Sequence, residues 1–501
     1  MIRKAQVEGG VVVGIPAADP RITAFKGIPF AAPPVGENRW RAPQPVKAWE
    51  GEKECFDFAP ISMQDIPGVD KDNLYSREWN VDPEIPMDED CLYLNVWTPA
   101  KSADEKLPVF VWYFGGGLMV GNTAEMEFDG ERIARRGIVV VSVNYRLNVF
   151  GFLVHPELTA QQPDAPTNFG HLDQQYGTQW VKRNIAAFGG DPDNITIGGQ
   201  SAGGMSVIAQ TTSPQNKGLF QRAIVMSGMF ANVYGGAGFP SRNYQQHEQY
   251  GVDFFKFLGV ESLEEARKLD AEYIRVKSLE FKGFWGTVDD GKFQVGNYMD
   301  NFIKGNRMDV PLMIGRTSDE FKSGIRAQNI DEFKDIAKKS LGAEADAFLA
   351  ICGDDFEEAV KKSTESGIEI GFRVLAANNE TNGNKAPVYY YVFNPEIPGW
   401  DNAGTFHSCD LWFFFETLAK CWRPFVGKHY DLARHMCNYW ANFFKCGDPN
   451  GVDANGKDMP VWKPYKEAEP NAMWFNDVAE PIVDEASDVM AILKKVYIAS
   501  K

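Results

Sequence analysis

Apolar positions along this chain gather into short continuous runs instead of alternating with polar ones. Such runs fall at 107–114 (LPVFVWYF), 138–143 (IVVVSV), 194–198 (NITIG), 222–226 (RAIVM), 310–314 (VPLMI) and 387–393 (PVYYYVF). Their length suits strands, and their apolar character on both faces suits a largely parallel sheet covered on two sides. Residues 173–188 place Tyr176, Trp180, Val181, Ile185 and Phe188 at helical spacing. Repeated strand–helix alternation predicts an α/β layered fold. The first hundred residues, rich in Pro, Gly and Trp, predict a small antiparallel sheet with long surface loops. Residues 241–280 and 326–380 read as polar amphipathic helices, a cap or side layer inserted between core strands. With no flexible linker in sight, residues 1–501 are expected to form one domain carrying these insertions.

Composition narrows the class. The chain has 501 residues, 44% of them hydrophobic, and a formal net charge of -17, which argues against nucleic acid and anionic membrane surfaces as partners. No apolar run reaches the roughly 18 residues that a membrane helix needs. The N-terminal MIRKAQVEGGVVVGIP lacks an apolar core and a cleavage site, so no signal peptide is expected and the cytoplasm is the expected compartment. Seven cysteines without a CxxC pair predict reduced, mostly buried thiols and neither a disulfide framework nor a thiolate metal site.

Chemistry enters at 194–204, NITIGGQSAGG. A strand predicted to end at Gly198 leads into Gly199-Gln200-Ser201-Ala202-Gly203, and Met205 to Gln210 continue as a helix. This is the G-x-S-x-G pattern of a nucleophile elbow, in which flanking glycines allow the sharp turn that lifts a serine hydroxyl above the sheet. Upstream, Phe114-Gly115-Gly116-Gly117 follows the strand 107–113. Unobstructed amides of Gly116 and Gly117, with that of Ala202, could converge on an acyl oxyanion.

A serine needs an imidazole to take its proton and a carboxylate to orient that imidazole. In the chain order of α/β-hydrolases the acid follows the serine and the histidine comes last, which leaves His407, His429 and His435. The latter two lie six apart on a predicted helix, where packing or surface roles are usual. His407 sits between a Pro/Gly-rich loop (394–404) and a helix from about 409, the better place for a catalytic base. His155, His171 and His247 read as structural. For the acid, the strand at 310–314 runs out into GRTSDEF, offering Asp319 and Glu320, between which spacing does not choose.

With these pieces placed, the chain resembles the type-B carboxylesterase/cholinesterase-like family of α/β-hydrolases. The stretches that carry the likeness include FKGIPFAAPPVGENRWRAP (25–43), EDCLYLNVWTP (89–99), VNYRLNVFGFL (143–153), 168–204 around the elbow, FHSCDLWFFF (406–415) and NYWANFFKCGDPNG (438–451). The resemblance implies an α/β-hydrolase fold with a large, mostly parallel, twisted central sheet flanked by helices. It also implies Ser201 as nucleophile, Glu320 rather than Asp319 as acid, His407 as base, and Gly116, Gly117 and Ala202 as the oxyanion hole. Ser227 becomes a buried polar residue behind the site, and Arg39 with Glu89 and Arg146 with Asp173 become structural ion pairs. The chain departs from the family at three places: Gln200 stands where Glu is common, Phe114 where His or Tyr is usual, and Phe321 where Gly is frequent. Ser62 occupies the place of the cysteine that secreted relatives pair with the one in EDCLYLN, so Cys91 is expected to be a free thiol.

The expected activity is hydrolysis of short-to-medium acyl or aryl carboxylic esters through an acyl-enzyme, with a small-molecule ester as substrate and no metal or organic cofactor. Pocket walls are expected from loops 55–88 and 280–300 and from Trp412, Phe413 and Phe414. Trp79 lies near the family's choline-binding tryptophan but is expected to pack a loop. The charged 241–280 segment does not resemble a lipase lid, and a catalytically inactive binding module would be expected to lack the serine or histidine. Acyl and alcohol preference and oligomeric state are not encoded in these motifs.

Overall fold

The apolar runs line up side by side in a sheet of eleven strands among the described residues. The computed structural model describes residues 1–234, 242–281 and 283–500. From one edge to the other the order is Ala479–Val483, Asn471–Phe475, Val388–Phe393, Leu312–Thr317, Arg222–Met226, Gly190–Gln200, Leu107–Tyr113, Val139–Val143, Tyr93–Thr98, Thr23–Pro29 and Ile15–Pro16. The seven strands from Asn471–Phe475 to Val139–Val143 are mutually parallel. Antiparallel strands finish both edges. Pro16 and Pro481 lie in the two outermost strands, where a missing ladder N–H costs least, and Pro108 and Pro192 lie near the starts of two central strands.

Both faces of the sheet are covered, which explains why its strands are apolar throughout. In Leu107–Tyr113, Phe110 and Trp112 enter one core with Phe414, Trp440 and Phe444. Val109, Val111 and Tyr113 enter the other with Trp180, Ile185 and Val207. The Phe110 and Phe444 rings stack with centroids 4.4 Å apart. Each such buried side chain is worth roughly 1.5–3 kcal/mol relative to exposure.

Some boundaries differ from expectation. The elbow strand continues to Gln200 instead of ending at Gly198, and its helix begins at Ala202 (Ala202–Thr212). The helix anticipated from 173 starts at Phe169 and runs to Asn184, followed by a 3-10 turn Ile185–Phe188. The small N-terminal sheet is mixed: the hairpin Lys4–Val7 and Gly10–Val13 is antiparallel, but the returning strand Glu52–Glu54 joins it in parallel. Residues 241–280 contain the helices Tyr244–Leu258, Leu263–Lys268 and Ala271–Glu280; residue 241 lies outside the described residues. Residues 326–380 contain Ile330–Leu341, Ala345–Cys352, Phe356–Ser363 and Gly367–Asn379.

The last of these is not the polar helix anticipated. It packs between the sheet and the C-terminal helix Asp488–Ala499, with Ile368, Ile370, Phe372, Val374 and Leu375 buried and Phe372 stacked on Tyr390 at 3.8 Å. Its polar members Glu369 and Arg373 pair with each other, Glu369 also with Arg316 and Arg373 with Asp484. No helix among the described residues is long and apolar enough to cross a membrane.

This topology sets the site. In an open parallel sheet the crevice lies beyond the carboxyl ends of the strands. Here the central strands end in register: Tyr113 opposite Gly199, Gln200 opposite Met226, Met226 opposite Gly315. The residues just past those ends are Gly115–Gly117, Ser201, Ser227 and, after Thr317, Glu320.

Candidate active site

Ser201 sits at the turn between the elbow strand and its helix with φ 54 and ψ -122, a conformation that costs a non-glycine residue about 1–3 kcal/mol. Two bonds hold it there. Its N–H donates to Met226 O at 2.9 Å, and its own carbonyl accepts from the Met205 N–H at 2.8 Å. The flanking glycines are needed for space. A Cβ on Gly199 would lie 2.3 Å from Gly203 O, and one on Gly203 would lie 2.1 Å from Tyr113 O.

Beyond the strand Leu312–Thr317, the two acids flagged in the sequence separate. Asp319 is exposed, and its carboxylate accepts from the Thr405 N–H at 2.8 Å. Glu320 is buried and its Oε2 lies 2.7 Å from His407 Nδ1. Its Oε1 accepts hydrogen bonds from the Ser227 and Thr317 hydroxyls, the latter at 3.1 Å, and from the Thr317 N–H at 3.3 Å. Burial opposes charge on Glu320, yet the facing imidazole and these donors outweigh it and hold the carboxyl below its ordinary value. Asp319 therefore anchors the 404–405 turn and Glu320 faces the imidazole. The other ring nitrogen, His407 Nε2, lies 3.3 Å from Gln200 Nε2, so its hydrogen bond in this structure comes from the residue before the serine instead of from the Ser201 hydroxyl.

Ser201, His407, Glu320, Gly116, Gly117 and Ala202 all border one cavity of about 1710 Å³. Gly116 and Gly117 have φ +108 and +67, and a Cβ on Gly116 would meet Val120 O at 2.1 Å. Among the described residues the N–H groups of Gly116, Gly117 and Ala202 donate to no protein acceptor, leaving three amides free for a ligand at the rim of the elbow. Phe114 is buried, stacked on Tyr145 at 4.2 Å, and its carbonyl accepts from the Tyr145 hydroxyl.

The walls match expectation only in part. Loops within 64–80 and 284–299 do contribute. Trp412, Phe413 and Phe414 do not: all three are fully buried. Their short helix Leu411–Phe414 turns Phe414 onto Phe110 and Trp112, Phe413 onto Phe393, and Trp412 onto Trp79. Trp79 borders the cavity, but its ring is packed by Tyr75, Phe406 and Trp412 and is 8% exposed. Beneath it the buried Glu78 ties the wall together, accepting from the indoles of Trp412 and Trp422 and from Arg423, 345 positions later.

Of the remaining five histidines, three have structural partners, and His435 is exposed on the helix Gly427–Cys446. His155 caps the helix Pro156–Gln161, His171 is buried between Gln174 and Thr287, and His429 bonds the Val426 N–H and Glu396 O. His247, on the cap helix Tyr244–Leu258, borders the cavity. Arg39 grips Glu89 through two 2.6 Å bonds, and Arg146 grips Asp173 at 2.8 and 2.7 Å. Cys91 is a free, buried thiol beside Ser62, and all seven cysteines are unpaired.

Three features escaped the sequence analysis. Phe321 is 57% exposed and lays its ring on that of His407, centroids 4.4 Å apart. Asp410, fully buried three residues after His407, accepts from the Tyr391 hydroxyl at 3.0 Å; burial and the nearby charge of Glu320 push its carboxyl up to about 7. Glu125 and Glu127 place two buried carboxyls together on the cavity wall, Glu125 accepting from the Asn122 N–H at 2.8 Å. The sequence marks Phe321 only as a departure from the family pattern, and nothing in spacing marks the three acids, because burial and neighbours in the fold make them unusual.

Comparison with known proteins gives the family and the fold. The profile of the carboxylesterase family matches residues 2–363 and 353–488. The chain is 30% identical over 469 residues to fumonisin B1 esterase of Sphingopyxis macrogoltabida, covering 88% of this chain and 82% of that protein. It is 31% identical over 467 residues to para-nitrobenzyl esterase of Bacillus subtilis, covering 88% and 89% respectively. Among solved structures, a PNB esterase superposes with a TM-score of 0.78 at 28% identity, covering 98% of this chain and all of that one.

Proposed function

Because the chain belongs to the carboxylesterase family and is a carboxylic-ester hydrolase, we propose that it works through a Ser201–His407–Glu320 relay and an acyl-enzyme, on short-to-medium acyl or aryl esters. The observation that carries this reading is the imidazole of His407. Its Nδ1 rests on buried Glu320 and its Nε2 points at the elbow, over a cavity shared with Ser201 and three unpaired amides.

In the first half-reaction an ester enters with its carbonyl carbon at Ser201 Oγ. His407 Nε2 takes the hydroxyl proton as the oxygen attacks, and the Glu320 carboxylate holds Nδ1–H and stabilises the imidazolium. The carbonyl oxygen becomes an oxyanion facing the N–H groups of Gly116, Gly117 and Ala202. One such donor is worth about 2.7–4 kcal/mol in the transition state. Collapse of the tetrahedral adduct breaks the C–O bond to the alcohol, which leaves with the proton from Nε2. Water then repeats the sequence on the acyl-serine, releasing the acid and restoring the hydroxyl. The strained backbone of Ser201 fits this role, since it holds the hydroxyl clear of the sheet before substrate arrives.

The test is Ser201→Ala. Hydrolysis of p-nitrophenyl acetate and labelling by a fluorophosphonate should both vanish while thermal unfolding stays near wild type. Persistence of either activity in the variant would remove Ser201 from the mechanism. A wild-type chain that neither hydrolyses nor labels would favour an inactive binding module. A series of p-nitrophenyl esters of increasing chain length then reads out acyl preference.

A further inference from the structure

Gln200 occupies the last position of the elbow strand, and its side chain is 2% exposed. Its Nε2 lies 3.3 Å from His407 Nε2. Its Oε1 points back toward Gly115, 3.1 Å from where a Cβ on that glycine would stand. A side chain at 115 would therefore crowd the carboxamide, and glycine leaves it room. On the far side of the ring, Nδ1 is committed to Glu320 at 2.7 Å.

That commitment fixes what Nε2 can accept as a neighbour. In the neutral ring, with the proton on Nδ1, Nε2 presents a lone pair and only a donor can face it. In the imidazolium, Nε2 carries N–H and only an acceptor can. A carboxamide holds a donor and an acceptor in one planar group and exchanges them by turning about its last bond. A carboxylate in its place could only accept, and its charge would favour the imidazolium.

We propose that Gln200 is a positioning residue for His407, matching its carboxamide to whichever protonation state the ring holds. It donates to Nε2 of the neutral base between turnovers and, turned about its last bond, faces the imidazolium with an oxygen instead of a second donor while Nε2–H passes its proton to the leaving alcohol. The ring thus keeps its register without a second anion drawing it toward the charged form. The 3.3 Å contact is at the long, weak end of the hydrogen-bond range, so the Ser201 hydroxyl can displace it when substrate seats. The titratable groups around this pair are Glu320 on Nδ1, Asp410 three residues after the histidine, and Tyr75 and Cys409, which feel the charge of Glu320. This inference rests on the Ser201–His407 relay proposed above.

The experiment measures kcat and KM for p-nitrophenyl acetate from pH 5 to 9 on the full chain, with active sites counted by fluorophosphonate titration so that unfolded protein drops out. Gln200→Glu should move the acid limb of kcat/KM up by about one pH unit, a loss of about tenfold on that limb, with the plateau above pH 8 within about threefold. Gln200→Met, which buries no charge and offers neither donor nor acceptor, should leave the limb in place and lower plateau kcat about tenfold at unchanged KM. A Gln200→Glu profile that superimposes on wild type, or a Gln200→Met enzyme with full kcat, overturns the assignment. If instead the wild type shows no label that Ser201→Ala removes, the relay itself falls; an active, labelled wild type with unmoved variants sinks only the role of Gln200.

Discussion

Gly203→Ala tests whether the elbow is built by close backbone approach. A Cβ at 203 would stand 2.1 Å from Tyr113 O and 2.7 Å from Phe114 O, where an ordinary carbon–oxygen contact is about 3.3 Å. More than an ångström must therefore open between the helix Ala202–Thr212 and the strand Leu107–Tyr113. The strand has little freedom to yield, because Tyr113 is paired with Gly199 at the sheet centre and the Phe114 ring is stacked on Tyr145. The helix must recoil, and Ser201 at its N-cap moves with it. A misplacement of about 1 Å at a reacting group costs on the order of 100-fold in rate, which is about 2.7 kcal/mol, and overpacking adds about 1–3 kcal/mol of lost stability. Turnover of p-nitrophenyl acetate per folded molecule, with Tm alongside, reads both. Gly218→Ala supplies the control: its φ is +80 but no atom lies within 4 Å of the new Cβ, so stability falls modestly and kcat holds. A Gly203→Ala enzyme within threefold of wild-type kcat would refute the reasoning.

If the proposed relay holds, Glu320→Gln removes the charge that orients and stabilises the imidazolium, so kcat should fall by about 10³–10⁴ with KM little changed, whereas Asp319→Asn should stay within a few fold; steady-state kinetics of the pair decide which acid acts. Burial holds the two carboxyls of Glu125 and Glu127 protonated, pushing Glu125 up to about 7 and Glu127 well above its ordinary value, with Glu125's charge adding to the latter. Unfolded, such groups ionise near 4.5, so the native state's advantage is full below that pH and is lost as pH rises through about 7. Glu127→Gln should therefore match wild type in Tm near pH 5 and exceed it by roughly 2 °C or more near pH 8; parallel Tm–pH curves would refute this.

What the chain made legible was what local chemistry compels. Glycines around Ser201 are required by contacts within a few residues and one neighbouring strand, so G-x-S-x-G with its strand and helix was readable. The choice between Asp319 and Glu320 was not readable from spacing, because adjacent positions at a strand exit differ only in which neighbour they meet; the family resemblance supplied Glu320, and the coordinates set it against His407. The aromatic run Trp412–Phe414 misled because a ring lining a cavity and a ring filling a core look alike in sequence. Here the turn of helix after His407 sends all three into the packing. Gly367–Asn379 misled for the converse reason: Glu369 and Arg373 look solvated in sequence and are neutralised in the interior by Arg316 and Asp484.

The tie between Glu78 and Arg423 bears on how this chain acquires its reactivity. A partly folded molecule can complete the elbow with the strands through Met226, whereas His407 and the arginine that seats the Glu78 wall come from about two hundred positions later in the chain. Pairings of such long sequence separation form slowly. On the relay proposed above, the Ser201 hydroxyl is therefore without its base until the distant elements carrying His407 and Arg423 dock beside the elbow.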